Sequence, residues 1–595
     1  MQSRHAPPRR PSRPVVLLGA GTLALIGLNL WWYWTYRRGF PLQLDEAGYS
    51  AFALALTQAL THHGIGALFH SFETQQTVFG PFVPLVTVPL NVVVGSRVGN
   101  GYVALEAFYG VLVVTTYGIA RRFVSPAMAL LAALLVATAP EVVMFTRAYY
   151  FAVPAAALLT SAVWCLLRSE GLRRTGWVLV AGAVLGVSLL TRTHLVSLVP
   201  CVFAAAALQV VVAGVDVRRR LVTVLAGAGV AAAIAGVWYA RNAGDAIGFL
   251  IGTRYRVVTP TQGTGQLGPL LRFLMQLVDT TQLPTALILL VVAVVAATRW
   301  GRGRDDVRRR RLRAAMADAR VADAWLLATV LAAFVAVFAV GEFVGGVVPA
   351  GEWLLALPFV VVGAIAALAS LGDGPRRAAA TLLVVVAVVN TVMMSGVAPG
   401  VAAVRTVDAG PFGLVTVTDG RQFLQVSWNH FQPGPPGRLA FAAGAAGHVA
   451  PALRAVRPLV RGVDAWLLRD ASRHGERPVV FAVGPDSRFL NINSLALEDR
   501  LLESDGTLIT GRVEVPVAAS IPQYCEQLDD PHLGLPNYVL LFRGAIPGAG
   551  LAARSVGVRR VERLGFRLVR PVAVPDGVVE VYWRSQGDVP TTCPR

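Results

Sequence analysis

Gly80-Pro-Phe-Val-Pro-Leu-Val-Thr-Val-Pro-Leu-Asn-Val-Val-Val-Gly95 is the stretch on which the topology of this chain turns. It is apolar, but Pro81, Pro84 and Pro89 interrupt it, and it is shorter than the roughly 20 residues of a helical span. Outside it, candidate spans read at 14–34, 98–120, 126–146, 149–167, 176–191, 195–214, 221–240, 282–298, 323–340, 352–371 and 378–395. Arg9, Arg10 and Arg13 place the N-terminus inside. If 80–95 does not cross, five later basic blocks also fall inside: Arg121 and Arg122; Arg168, Arg173 and Arg174; Arg218 to Arg220; Arg299 to Arg313; Arg376 and Arg377. If it crosses, all of them flip outside. The positive-inside rule selects the first arrangement. The stretch then reads as a re-entrant or juxtamembrane element packed on protein, where irregular backbone is tolerated at membrane depth. The expectation is an α-helical polytopic membrane protein with about 11–13 transmembrane helices and its C-terminus outside.

Composition agrees. The chain has 595 residues, 55% hydrophobic and only 15% charged, against roughly 25% in a soluble protein. The net charge of +19 sits in the blocks between apolar runs, which argues for topology determinants facing anionic lipid and against nucleic-acid binding. The first run ends in Trp31, Trp32, Tyr33 and Trp34, rings suited to the headgroup level. It is too long for a signal peptide and no small-residue cleavage site follows, so it reads as a retained anchor. The chain divides into a cytoplasmic tail at 1–13, a membrane domain at 14–398 with a first outer loop at 35–80, and an extracytoplasmic soluble domain at 399–595. In the last, helices at 448–473 and 495–502 alternate with strands at 478–483, 538–542 and 578–582, a small α/β layer domain. Cys525 and Cys593 lie in it, and outside the cytoplasm they could form a disulfide; Cys165 and Cys201 lie in apolar runs. The Ala-, Arg- and Val-rich usage points to a GC-rich bacterium, hence a bacterial inner (plasma) membrane.

This topology sends the polar residues of the membrane domain to the outer face. The sharpest feature is Leu44-Asp45-Glu46-Ala47-Gly48-Tyr49, just past the first span. Two adjacent carboxylates at a membrane boundary are costly unless something uses them. A helix begins here, with an apolar stripe at Phe52, Leu56 and Leu60, and Asp45 as its N-cap would explain one acid without any catalysis. The two readings weigh about equally. His62, His63 and His70 have no compact metal spacing and read as interfacial caps. Arg147, before Tyr149 and Tyr150, and Arg192 with His194 each stand at an outer boundary. One such arginine is a snorkelling side chain. Together with Arg241, Arg254 and Arg256 they run against the inside bias, and a phosphate on a lipid carrier would account for them. Gly182 and Gly186 form a small-residue packing motif. No Walker loop, GxSxG or HExxH occurs in a fitting context.

The order of these elements resembles the GT-C class of membrane glycosyltransferases, which includes protein O-mannosyltransferases, lipid A aminoarabinose transferases and the catalytic subunit of oligosaccharyltransferase. Asp45-Glu46-Ala47-Gly48-Tyr49 is similar to the acidic motif that opens the first outer loop of that class. Phe79-Gly80-Pro81-Phe82-Val83-Pro84-Leu85 resembles its Pro-rich stretch, Ala120-Arg121-Arg122-Phe123 and Thr146-Arg147 its span ends, and Leu189-Leu190-Thr191-Arg192 its Leu-Leu-Thr-Lys stretch. The resemblance covers about 14–395. It implies a polyprenyl-phosphate-linked sugar donor and an acceptor that is an envelope glycan, lipid or protein. It would make Asp45 the general base, with Glu46 assisting or binding a divalent ion such as Mg or Mn. Tyr49, Arg147, Arg192, His194, Arg254 and Glu352 would serve the donor phosphate and substrate. Two positions depart from the pattern: Ala152 stands where a carboxylate is expected, and Glu352-Trp353 where an arginine-tyrosine is expected. They motivate the alternative of a non-catalytic relative that binds lipid-linked glycan or scaffolds an envelope complex. A transporter would need a polar path at mid-membrane, and Glu106 is the main ionisable residue there.

Overall fold

The computed structural model describes residues 13–37, 42, 44–74, 80–256, isolated positions between 285 and 294, 319–345, 352–395, 405–408, 414–417, 446–483, 490, 492–501, 509–513, 536–544, 561–574 except 563, and 577–585. The membrane domain runs α1 (Arg13–Trp32), a π-helical turn (Tyr33–Arg37), α2 (Leu44–Thr74), α3 (Phe82–Val94), α4 (Gly99–Ala120), α5 (Pro126–Ala137), α6 (Pro140–Thr146), α7 (Ala152–Arg168), α8 (Thr175–Leu189), a 3-10 turn (Thr193–Val196), α9 (Val199–Ala213) and α10 (Val217–Arg256). Then come α11 (Ala319–Gly345), α12 (Glu352–Ala369) and α13 (Asp373–Ser395). Among the described residues six helices are long and apolar enough to cross a membrane, or up to seven if the bent pair α5–α6 is one span. Four more apolar helices are shorter: α3, α7, α8 and Trp353–Ala369. The chain is a multi-pass membrane protein.

The decisive stretch forms α3. Its 13 residues make a helix of about 20 Å, short of the roughly 30 Å hydrocarbon core. Pro84 falls in the first turn, where a missing N–H costs nothing, and Pro89 sits inside. The expected span at 126–146 is bent by 60° between α5 and α6, where Pro140 cannot continue the preceding hydrogen-bond ladder. The next helix starts at Ala152, later than expected, because 147–151 is a turn. Helix α2 opens at Leu44, so Asp45 lies in its first turn instead of capping it. Phe52 and Leu56 of the expected stripe are buried. A kink at Gly64, φ 82°, folds the end of α2 back, and Phe52, Leu56, Leu68 and Phe72 pack with Val88 of α3 and Trp238 of α10. At Gly182 α8 packs tightly on α10: a Cβ there would lie 2.2 Å from the Gly227 carbonyl oxygen.

The C-terminal part holds a β1–β2 pair (Arg405–Asp408, Leu414–Val417), α14 (Ala446–Arg473), β3 (Val479–Val483), α15 (Ile492–Leu501), β4 (Ile509–Val513), β5 (Tyr538–Gly544), β6 (Arg567–Val574) and β7 (Gly577–Trp583). Strands β3 to β7 form one sheet in the order β4-β3-β5-β7-β6. β3 is parallel to β4 and β5, and β7 is antiparallel to β5 and β6. Sequence pattern missed β6, whose Pro571 and arginines disguise it; it is an edge strand, where proline is tolerated. Val460, Val463 and Leu467 of α14 pack on Val480, Tyr538, Leu540 and Val581. Cys525 and Cys593 lie outside the described residues.

Candidate active site

Glu46, in the first turn of α2, has no exposed surface. Its Oε1 accepts the Tyr102 hydroxyl of α4 at 2.9 Å and the backbone N–H of Tyr149 at 2.9 Å. A buried carboxylate survives when donors replace its water, and here two separate elements supply them. Tyr149 extends the network: its hydroxyl donates to the Val83 carbonyl at 3.1 Å and lies 2.6 Å from Thr87 Oγ1, both on α3. Tyr49, one turn along α2, is fully buried and meets the edges of Tyr149 and Tyr150. A second polar chain ties the same helices: Asn100 of α4 donates to Asn91 of α3, which donates to Thr57 of α2.

Arg147, at the end of α6, is 2% exposed. Its Nε and Nη2 donate to Asn29 Oδ1 of α1 at 3.3 and 3.1 Å, and its guanidinium lies 4.4 Å from the Trp32 ring. Glu106 of α4 is buried nearby, within the field of the Arg147 charge. Arg147 is therefore tied to α1 through Asn29 and Trp32, as a buried ion needs partners. Arg192 is 6% exposed, with its guanidinium 4.5 Å from the Phe151 ring and 5.7 Å from Tyr150. His194 follows, also buried. Gly80 presses on this segment: a Cβ there would lie 2.2 Å from the Leu190 carbonyl oxygen, to which Phe82 N–H donates at 3.0 Å. The Pro-rich stretch and the Leu-Leu-Thr-Arg stretch, far apart in sequence, are thus in contact.

Glu46, Tyr49 and the 147–151 turn are brought together, and Arg192 joins them through Tyr150 and Phe151. Asp45 lies in the first turn of α2, Arg254 in α10 and Glu352 at the start of α12; their side chains fall outside the described ones. His62 and His63 are exposed at the end of the first arm of α2, lining a pocket with Gln58 and Arg500. Arg241 is paired with Glu73 at 2.5 Å. Among the described residues no three His, Cys, Asp or Glu side chains are grouped to hold a metal ion. Glu46 Oε1 is shared by the Tyr102 hydroxyl and the Tyr149 N–H.

Sequence reading missed the anchors Asn29, Tyr102 and Thr87. Asn29 carried a signal, a polar side chain inside an apolar span; the tyrosine and threonine carried none. Also missed is a cavity of about 610 Å³ beside Ala47, closed on its far side by α14 and α15. The membrane and C-terminal parts meet there. Gln58 Nε2 donates to the Arg500 carbonyl at 3.1 Å while Arg500 Nη1 donates to Gln58 Oε1 at 3.0 Å.

Comparison with known proteins bears on this arrangement. The family model described as dolichyl-phosphate-mannose-protein mannosyltransferase matches residues 81–239, from α3 to α10. No curated protein matches the chain in sequence. Among solved structures, apo ArnT from Cupriavidus metallidurans superposes with a TM-score of 0.54 at 15% identity, over 95% of this chain and 97% of that one. The same protein bound to undecaprenyl phosphate gives 0.53 at 16% identity with the same coverage. The chain has the GT-C fold. Within this fold the acidic motif at the start of α2 is fixed from two sides, by α4 through Tyr102 and by the 147–151 turn through Tyr149.

Proposed function

We propose that the chain is a membrane glycosyltransferase that takes a sugar from a polyprenyl-phosphate carrier and transfers it to an acceptor hydroxyl of the cell envelope. The observation that carries this reading is the double clamp on Glu46, which holds the first turn of α2, and with it Asp45, in one place. The likeness in fold to a protein captured with undecaprenyl phosphate, over nearly the full length of both chains, supports it. In this reading Asp45 takes the acceptor proton, the hydroxyl oxygen bonds to the anomeric carbon, and the carbon–oxygen bond to phosphate breaks. The phosphate leaves on the lipid carrier, and cations at its oxygens stabilise the charge it gains. Arg192 and Arg254 are assigned that role. Arg147, sealed against Trp32 and Asn29, shapes the site from behind. The reaction side is the extracytoplasmic face of a bacterial inner membrane, with the N-terminus cytoplasmic and the C-terminal domain outside, as the arginine blocks require.

A second reading, a non-catalytic GT-C protein that binds lipid-linked glycan, draws on Ala152, which stands where the class has a carboxylate and is wholly buried. One experiment separates the two. Membranes containing the native chain or Asp45→Asn are supplied with radiolabelled polyprenyl-phosphate sugars. A labelled product that forms with the native chain and disappears with Asp45→Asn is the expected result. A folded chain that binds carrier lipid and yields no product from any donor establishes the second reading.

A further inference from the structure

Helices α8 and α10 run parallel and touch through small residues. Gly182 packs on Gly227, and a Cβ on Gly186 would lie 2.8 Å from the Ala231 carbonyl oxygen. Carried back by the same number of residues along each helix, this register sets Thr175, the first residue of α8, level with Arg220 in the first turn of α10. The two N-termini therefore sit side by side at one end of the pair. Each brings the positive end of a helix dipole. The chain adds Arg173 and Arg174 before α8 and Arg218, Arg219 and Arg220 in α10. The acids beside them are Glu170, paired with Arg174 at 2.6 Å, and Asp216, 3.9 Å from Arg220. Positive charge is gathered where a helix start favours negative.

Arg220 turns this corner into a site. It is 7% exposed. Its Nε and Nη2 are buried, and among the described residues neither has a hydrogen-bond acceptor. The Asp216 carboxylate at 3.9 Å is beyond hydrogen-bond range and is itself exposed. The Arg173 charge reaches the same guanidinium. A buried cation left in this state is costly, and an anion between Arg220 and Arg173 removes the cost. The start of α8 is open to such an anion. Arg174 stands at its N-cap position without a side-chain cap, and Thr175 and Gly176 are exposed, so the first N–H groups of the helix can meet a ligand. The turn that carries Arg173 is fixed: the Ser169 carbonyl accepts the N–H of Arg173 and of Arg174, each at 3.0 Å, and Ser169 Oγ accepts the Leu172 N–H at 3.0 Å.

The surroundings say what carries the anion. Arg168, at the end of α7, lies between Trp164 and Trp177, 5.4 and 5.3 Å from their rings, and indoles settle at headgroup depth. Beyond the arginines, Val180 of α8 and Val222 and Leu225 of α10 are exposed, an aliphatic surface that starts at the corner and continues along the helices. A soluble phosphate has no use for that surface, whereas a phospholipid lays its acyl chains on it. We propose that the paired N-termini of α8 and α10 hold the phosphate of an anionic glycerophospholipid, with Arg220 and Arg173 as its cations. Guanidinium groups match phosphate oxygens bidentately. The site is at the opposite end of α8 from Arg192 and takes no part in the transfer chemistry, so it stands or falls apart from the proposed function. By the topology read from the arginine blocks it faces the cytoplasmic leaflet.

The test offers the full chain, stripped of lipid in detergent, an equimolar mixture of dioleoyl-phosphatidylglycerol and dioleoyl-phosphatidylcholine, with retained lipid counted by native mass spectrometry. The second lipid has the same chains and a phosphate neutralised by its own cation. Inorganic phosphate, read by thermal melting, stands for a soluble anion. Phosphatidylglycerol is expected to be retained about tenfold better than phosphatidylcholine, and to raise the melting temperature where phosphate does not. Arg220→Met and Arg173→Gln should each remove the preference, and Arg377→Gln, in another basic block, should keep it. Without lipid, Arg220→Met should melt no lower than the native chain, because it removes a buried cation instead of stranding one. A much lower melt would show the arginine to be satisfied within the protein, and overturns the proposal. Equal retention of the two lipids, or a preference that survives both Arg220→Met and Arg173→Gln, overturns it as well. So does an equal loss from Arg377→Gln, since the attraction would then be general surface charge. Stabilisation by inorganic phosphate as strong as that by phosphatidylglycerol would make the ligand a free anion and overturns the lipid assignment.

Discussion

Glu46 Oε1 accepts the backbone N–H of Tyr149 at 2.9 Å, which joins the start of α2 to the turn between α6 and α7. The same oxygen accepts the Tyr102 hydroxyl. Substituting Glu46→Gln keeps an acceptor for both donors, and Glu46→Ala leaves both buried without one. The alanine variant is expected to lose about 3 kcal/mol and the glutamine variant about 1 kcal/mol. Thermal melting of the purified protein in detergent checks both, and equal losses would refute an anchoring role.

Arg147 donates to Asn29 inside the membrane domain, and Glu106 is buried near it. Arg147→Met leaves Asn29 Oδ1 buried without its donor and Glu106 without the neighbouring cation, so it should cost about 1–3 kcal/mol. Combining Arg147→Met with Glu106→Gln should recover part of it, read as restored yield of monodisperse protein. A double variant no better than Arg147→Met would show that the arginine acts elsewhere.

Gly80 has no room for a side chain against Leu190 and Thr191. Gly80→Ala must push α3 off that segment, at about 1–3 kcal/mol. Because Arg192 follows the displaced residues, transfer activity should fall more than stability does. The check is specific activity per folded molecule; unchanged activity would separate α3 from the Arg192 segment functionally.

Gln58 and Arg500 exchange two hydrogen bonds across the junction of the membrane and C-terminal parts. The side-chain bond can be removed from either end, and a double-mutant cycle of Gln58→Ala and Arg500→Ala should show a coupling of about 0.5–1.5 kcal/mol. The backbone carbonyl of Arg500 remains in every variant. Coupling near zero would mean that apolar contacts alone hold the junction.

Much of the fold was legible because bilayer thickness and arginine placement constrain helices strongly. The prolines of 80–95 announced a re-entrant or juxtamembrane element of irregular backbone; the stretch is short, but it forms a helix, α3. The bend between α5 and α6 was written in Pro140 but overlooked, since apolar content alone makes 126–146 look continuous. In the site, the acidic pair was visible as an anomaly, yet the anchoring of Glu46 was not. Its partners Tyr102 and Tyr149 lie 56 and 103 residues away, and no local pattern encodes such a pairing.

The junction at Gln58 and Arg500 also sets an order on the birth of the molecule. The two residues are separated by 442 positions, so α2 is made long before its partner helix has been synthesised. Through most of translation α2 has no roof, and the wall formed by α14 and α15 arrives only near the end. A chain cut short between α13 and α14 keeps its membrane helices and its acidic motif but never completes the chamber beside them.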